Sequence, residues 1–185
     1  GAITSDCADK ASRFLQLCDA FDLPVLSLCD TPGMMVGPAA EQTGLVRHTS
    51  RLFTVGATMT APLVMVILRK GYGLGAMAMA GGDFHATLAT LSWPTGEVGG
   101  MGLEGAVRLA MRKELEAIED HDERQRVYES LVAASYEQGS ALSAATYDEI
   151  DDVIDPADTR ERVAALLGGW QPPPREGRRR MVDTW

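Results

Sequence analysis

Apolar residues in this chain first recur with a helical period and then gather in short continuous runs. From position 11 to position 21 they follow an i, i+3, i+4, i+7 spacing, which predicts a helix that begins after a cap at Ser5 or Asp6. The apolar positions of that helix are Ala11, Phe14, Leu15, Cys18 and Phe21. Residues 25–29 and 63–68 are short and largely apolar, as expected for buried strands of a parallel sheet.

The rest of the chain continues this alternation. A helix of residues 41–59 is interrupted by Gly44 and Gly56, and a third strand of about residues 86–93 ends at Pro94. The further elements predicted are helices over about 103–118, 122–140 and 156–167, with a short strand or extended link at 150–154. Helices alternating with buried strands predict an α/β fold with a mainly parallel sheet and flanking helices.

Composition supports one packed domain. The chain has 185 residues, 45% of them hydrophobic, and a net charge of −9, which argues against binding to nucleic acid or to an anionic membrane. It shows neither a 20-residue apolar run nor a signal peptide, so we expect a soluble, cytoplasmic protein. The three cysteines fit no metal or redox spacing, and Cys18 and Cys29 are expected to be small buried hydrophobes.

The last residues differ from the rest of the chain. We expect a domain of residues 1–170 followed by a tail of residues 171–185, because three consecutive prolines at 172–174 cannot continue a helix. The tail has four arginines against Glu176 and Asp183, a local charge of +2 on an acidic protein. It is either a solvated terminus or a docking arm for an acidic partner.

The most informative segment follows the second predicted strand. Residues 71–82 are rich in glycine, which lets the backbone turn sharply and lets a ligand approach without meeting a Cβ. The first N–H groups of a helix that begins there lack acceptors and can point at a negatively charged oxygen. This describes a phosphate cradle or an oxyanion hole, unless the glycines only allow close helix packing.

Two nucleotide-binding interpretations find little support. Gly73-x-Gly75-x-x-Ala78 matches the GxGxxA pattern of dinucleotide-binding proteins, but the acidic residue at about the right distance, Glu97, lies in a loop rich in proline and glycine. Asp30-x-x-Gly33 resembles a GTPase switch, and the phosphate-binding GxxxxGK[ST] loop that it requires is missing from the sequence.

Few side chains offer acid–base or nucleophilic chemistry. His48, His85 and His121 are scattered, and no nucleophile elbow, Cys/His pair or metal-ligand cluster is found. His121 lies in an acidic surface stretch, and we interpret His48 as structural. The chemistry left for this chain is therefore chemistry done by backbone amides.

From about residue 8 to residue 154 the sequence resembles the carboxyltransferase subunits of biotin-dependent acyl-CoA carboxylases, members of the crotonase-like superfamily. Several matching blocks in the right order are more specific than any single glycine motif. The blocks are residues 11–21, the pattern Asp30-x-Pro32-Gly33-x-x-x-Gly37-x-x-x-Glu41-x-x-Gly44-x-x-Arg47-His48, residues 69–73 and residues 93–97.

The resemblance implies a crotonase-like (ClpP/crotonase) fold of ββα superhelix units. It implies a carboxyltransferase in which one half binds the acyl-CoA and the other, the kind seen here, binds carboxybiotin held on a carrier domain. The expected partners are a biotin carboxyl carrier protein with its biotin carboxylase component and the acyl-CoA-binding half, in a homo- or hetero-oligomer. A fragment or split subunit that is inactive alone is expected, because 185 residues are about a third of a usual subunit.

Carried over residue by residue, the resemblance assigns the oxyanion hole to the N–H groups of Leu74 and Gly75. The family commonly has Gly-Ala or Ala-Gly there, so Leu74 is a departure. Met77 takes the place of an acyl-pocket side chain and suits a longer or bulkier acyl group. The residues expected to bind biotin or substrate are Gly33, Gly71, Tyr72, Gly73, Ala76 and Met77. A biotin-dependent acyl-CoA decarboxylase and a non-catalytic assembly subunit of the same fold remain alternatives.

Overall fold

The structure is a computed structural model that describes residues 1–172, 174 and 181–183 of the chain. Five strands form one sheet: β1 (Val25–Thr31), β2 (Leu63–Tyr72), β3 (Ala89–Ser92), β4 (Glu97–Gly99) and β5 (Asp152–Val153). Nine α-helices accompany them among the described residues: α1 (Ser5–Ala20), α2 (Pro38–Gln42), α3 (Leu45–Thr58), α4 (Gly73–Met79), α5 (Leu103–Ala110), α6 (Arg112–Glu116), α7 (His121–Gln138), α8 (Ala141–Thr146) and α9 (Thr159–Gly168). A 3₁₀ turn, Pro156–Asp158, precedes α9.

Strand β2 is the centre of the sheet. The strand order is β1-β2-β3-β5, and β4 pairs with the carboxyl end of β2. All four pairings are parallel, which confirms the predicted fold class. Four consecutive residues of β2, from Val64 to Ile67, are fully buried, because helices cover both faces of the strand.

Two hydrophobic clusters lie on opposite faces of this sheet. Met65 and Ile67 belong to the larger cluster, which includes residues of α1, α3 and α4. Val64 and Val66 point to the other face and pack in a smaller cluster with Val163 of α9. The alternation along one strand therefore ties both layers to the sheet.

Several predicted helices are shorter than expected. The helix of residues 41–59 is two helices, α2 and α3, because Gly44 between them adopts a left-handed conformation with φ of 71°. The helix of residues 103–118 is broken at Met111 into α5 and α6. Strand β4 and helix α8, which have three and six residues, were not among the predicted elements.

Helix α1 was placed correctly, and of its predicted apolar positions Leu15 and Cys18 are buried, Ala11 packs against the larger cluster, and Phe14 and Phe21 are exposed. Thr4 caps it by accepting a hydrogen bond from the N–H of Cys7, where Ser5 or Asp6 had been expected. Phe14 and Phe21 match the helical period yet are 59% and 69% exposed. The small residues Ala8 and Ser12, both at zero exposure, complete the buried face beside Leu15 and Cys18.

The buried cysteines behave as expected. Cys18 and Cys29 lie in the core, and burial raises the pKa of the Cys29 thiol to about 11. A thiol that stays protonated near neutral pH is a poor nucleophile.

The described part of the tail returns to helices α1 and α3. The Asp183 carboxylate accepts hydrogen bonds from Arg51 Nε at 2.9 Å, from Arg51 Nη2 at 2.7 Å and from Gln16 Nε2 at 2.9 Å. Arg13 donates to the Asp183 carbonyl oxygen. The four arginines of the tail lie outside the described residues, so the docking-arm interpretation stays a prediction.

Candidate active site

The chain changes from strand β2 to helix α4 at a single residue, Gly73. Its φ is 55°, a left-handed conformation that side chains other than glycine rarely adopt. A Cβ on Gly73 would also lie 2.6 Å from the carbonyl oxygen of Gly100. Glycine is therefore required here, and the sharp turn brings the start of α4 directly against the end of β2.

The first N–H groups of α4 are the expected oxyanion hole. Because the helix begins at Gly73, the N–H groups of Leu74 and Gly75 have no acceptor inside it. No side chain caps the helix, and none of the hydrogen bonds outside helices and strands in the described part of the chain uses either group. Two neighbouring main-chain donors are thus left without an acceptor, in an exposed residue, Leu74, and a buried one, Gly75, neither of which is among the residues that line the cavity described below.

Gly75 is held against the loop that follows β1. A Cβ on Gly75 would lie 2.7 Å from both the Cα and the carbonyl carbon of Gly33. Gly33 is fixed in turn, because its N–H donates to Thr31 Oγ1 at 3.2 Å and its carbonyl accepts from the N–H of Ile3 at 3.0 Å. The structure therefore brings together two glycines that the sequence analysis assigned to one site.

A cavity of about 330 Å³ lies beside the β2–α4 turn. Its walls include the predicted site residues Gly71, Gly73 and Met77. The other residues that line it are Asp83, Phe84, His85, Val98, Gly99, Gly100 and Glu149. None of these seven was predicted as a site residue, although a second glycine cluster at residues 96–102 was a signal for part of the wall.

Two predicted site residues have side chains in the interior. Ala76 is fully buried in the larger hydrophobic cluster. Tyr72 is 3% exposed, and its hydroxyl donates to the Glu97 carboxylate. Burial, together with the bond to Glu97, raises the pKa of Tyr72 above its usual range. Neither Ala76 nor Tyr72 lines the cavity. Glu97, the acidic residue considered above for a dinucleotide-binding pattern, is bonded to Tyr72 and does not line the cavity either.

His48 lies outside this cavity and links two helices. Its Nδ1 is 2.7 Å from Asp9 Oδ2, and the same carboxylate accepts from Arg51 Nη1 at 3.0 Å. Asp9 is on α1, whereas His48 and Arg51 are on α3. This arrangement supports the structural interpretation of His48.

Side chains elsewhere add no metal centre to the described part of the chain, since no three histidine, cysteine or acidic residues gather there as potential ligands. Among the same residues, no helix has the length and apolar content needed to cross a membrane.

Comparison with known proteins now identifies the family. The sequence profile of the carboxyl transferase domain matches residues 1–168. The chain belongs to the carboxyl transferase domain family. Its parallel α/β sheet is also the crotonase-like fold of the solved carboxyltransferases that it resembles.

Curated relatives of the family are much longer than this chain. The chain is 36% identical over 171 residues to the methylmalonyl-CoA carboxyltransferase 12S subunit of Propionibacterium freudenreichii subsp. shermanii, covering 90% of this chain and 31% of that protein. It is 38% identical over 168 residues to the propionyl-CoA carboxylase carboxyltransferase subunit of Haloferax mediterranei, covering 90% and 32%. The chain thus spans about a third of the length of these relatives.

Solved structures agree with this assignment. A single-chain, multi-domain long-chain acyl-CoA carboxylase superposes with a TM-score of 0.79 at 58% identity, covering 90% of this chain and 16% of that one. The transcarboxylase 12S subunit, solved as a hexamer with methylmalonyl-CoA, gives a TM-score of 0.82 at 30% identity, covering 97% and 35%.

Proposed function

We propose that this chain binds carboxybiotin beside the start of α4 and takes part in transferring its carboxyl group to the α-carbon of an acyl-CoA. The observation that carries the proposal is the pair of N–H groups of Leu74 and Gly75, which open α4 without acceptors in a chain of the carboxyl transferase family. The adjoining cavity, with Gly71 and Gly73 in its wall, leaves room for a ligand near the backbone.

The proposed reaction needs little from side chains. Carboxybiotin supplies the carboxyl group: its N1–carboxyl bond breaks, that carbon bonds to the acyl-CoA α-carbon, and the α-proton ends on N1. The N–H groups of Leu74 and Gly75 donate to the biotin ureido oxygen, where negative charge develops. Gly75 packs closely against Gly33, and Gly73 against the carbonyl oxygen of Gly100, so the donors have little room to move while the charge develops.

We further propose a long or bulky acyl group as the substrate. Met77 lines the cavity with Phe84 and Val98, which makes part of the wall apolar and adaptable. The 58% identity to a long-chain acyl-CoA carboxylase supports this choice. Met77→Gln, which keeps the length of the side chain and makes it polar, should lower the ratio of long-chain to short-chain rates about 10-fold. Met77→Leu should leave the ratio nearly unchanged, and an unchanged ratio in Met77→Gln would exclude Met77 from the acyl pocket.

The proposal includes partners and organisation. Residues 1–170 form the carboxybiotin-binding domain and residues 171–185 a tail rich in proline and arginine. The chain works in the cytoplasm, in an oligomer with an acyl-CoA-binding half, and receives carboxybiotin from a biotin carboxyl carrier protein loaded by a biotin carboxylase. The carboxyltransferase names and the hexamer of its relatives support these partners.

The test is reconstitution of carboxyl transfer. The full chain is mixed with an acyl-CoA-binding half of the family, a carboxylated biotin carrier and an acyl-CoA, and the carboxylated product is measured by mass spectrometry. We expect product from the complete mixture and none when either half is left out. Steady turnover by this chain alone would contradict the proposal that a separate half is needed to bind the acyl-CoA. No product from a mixture whose two halves form a complex would favour the non-catalytic assembly subunit.

A further inference from the structure

Tyr72 and Glu97 connect the ends of two strands immediately before the turn into α4. In the parallel pairing of β2 with β4, Lys70 lies opposite Glu97 and Tyr72 opposite Gly99. The Tyr72 ring is buried and its hydroxyl donates to the Glu97 carboxylate. The hydrogen bond therefore links β2 to β4 one residue before Gly73.

Strand β4 is a fixed partner for Tyr72. The N–H of Val98 donates to the carbonyl oxygen of Gly139 at 2.7 Å, and the N–H of Ala141 donates to the carbonyl oxygen of Gly96 at 2.9 Å. Bonds on both sides of Glu97 thus hold β4 against the start of α8. The position of the Glu97 carboxylate, and with it that of the Tyr72 ring, follows from these main-chain contacts.

The same strands hold the backbone of the turn. Tyr72 is at the N-cap position of α4, and its ring carbon Cδ1 lies 3.9 Å from where a Cβ of Gly99 would be. The next residue, Gly73, approaches the carbonyl oxygen of Gly100 too closely for any side chain. The side-chain contact of Tyr72 with β4 and the close approach of Gly73 to Gly100 therefore lie immediately before the first turn of α4.

We infer that the Tyr72–Glu97 hydrogen bond positions the N–H groups of Leu74 and Gly75, and that both side chains are positioning residues which do not touch the substrate. Both lie outside the set of residues that line the cavity. The catalytic consequence of this inference rests on the proposed function. A displacement of the donors on the order of 1 Å costs about 100-fold in rate at other enzyme sites, so loss of the bond should slow transfer about 10- to 100-fold.

The first test uses NMR on the full chain and needs no activity. Tyr72→Phe and Glu97→Ala each remove the hydrogen bond, whereas Glu97→Gln keeps an acceptor for the Tyr72 hydroxyl. We expect the first two variants to shift the amide resonances of Leu74 and Gly75, and Glu97→Gln to restore them towards the parent positions. Tyr147→Phe removes a hydroxyl from a tyrosine that is 74% exposed and serves as the control.

The second test measures reconstituted transfer. Tyr72→Phe should lower kcat about 10- to 100-fold while KM for the acyl-CoA stays within about twofold, because the donors act on the transition state. Glu97→Gln should recover most of the rate.

The two proposals fail in different ways. Unmoved Leu74 and Gly75 amides in Tyr72→Phe would overturn the positioning role, whatever happens to the rate. Shifted amides with an unchanged rate would leave the positioning role standing and contradict the proposed oxyanion hole. If Tyr72→Phe does not fold, the amide resonances of Leu74 and Gly75 are compared between Glu97→Ala and Glu97→Gln. Equal resonances in these two variants would overturn the positioning role.

Discussion

The backbone N–H of Leu74 can be removed with one substitution. Leu74→Pro deletes that donor without removing a helical hydrogen bond, because position 74 is in the first turn of α4 and its N–H has no acceptor inside the helix. The same chain already has a proline, Pro38, in the first turn of α2. The side chain lost is 61% exposed, so little buried surface is lost with it.

The expected effect is on catalysis. Removing one oxyanion-hole donor typically lowers kcat about 100- to 1,000-fold, which corresponds to about 2.7–4 kcal/mol of transition-state stabilisation. The assay is reconstituted transfer from a carboxylated carrier to acyl-CoA, with thermal unfolding and complex formation measured on the same samples. We expect the loss in kcat with nearly unchanged KM for the acyl-CoA.

Leu74→Ala is the matched control, because it shortens the same side chain and keeps the N–H. Its rate should stay within a few-fold of the parent, since truncation of an exposed side chain changes stability by about 0.5 kcal/mol or less. If Leu74→Pro folds, assembles and retains the parent rate, the backbone-donor mechanism is wrong. If both variants lose activity equally, the leucine side chain and not its N–H is responsible.

Two further predictions concern stability. Gly56→Ala should destabilise the protein by about 1–3 kcal/mol, because its Cβ would lie 2.4 Å from the Gly81 carbonyl oxygen. Gly105→Ala in α5 meets only Met101 Cε at 3.9 Å and should stabilise the protein by about 0.5–1 kcal/mol. Chemical denaturation measures both free energies of unfolding, and equal effects of the two substitutions would refute the packing argument. Hydrogen bonds from Arg51, and then from Gln16, lower the pKa of Asp183, so its stabilising effect is present above the unfolded pKa of about 3.9 and is lost as pH falls through the folded value. Asp183→Asn should therefore lower the Tm at pH 7 and differ less from the parent below about pH 4, and Glu119→Gln on the exposed surface provides the control; a difference independent of pH would count against the ion pair.

Local patterns predicted the elements whose signal lies in consecutive residues. The apolar run of β2 and the helical period of α1 indicate a strand and a helix without any tertiary information. Strand β4 escaped prediction because it has only three residues, between Pro94 and a glycine cluster, and is formed by pairing with β2. The glycines around Gly73 did indicate the turn, since few other residues adopt its conformation.

The walls of the site could not be predicted in this way. Asp83, His85 and Glu149 reach the cavity from segments that carry no periodic signal, and Glu149 is more than 70 positions from Gly73 in the sequence. The ion pair of Arg51 with Asp183 spans 132 positions and likewise has no local signature. Such contacts depend on how the layers pack, which is a property of the whole fold.

The central claim is that two neighbouring backbone amides recognise the biotin ureido oxygen. A crystal structure of this chain in its assembled carboxyltransferase, with biotin bound, tests it most directly. We predict that this oxygen lies about 2.7–3.1 Å from the backbone nitrogens of both Leu74 and Gly75. Biotin seated elsewhere, or seated here with its ureido oxygen directed away from both nitrogens, would contradict the account.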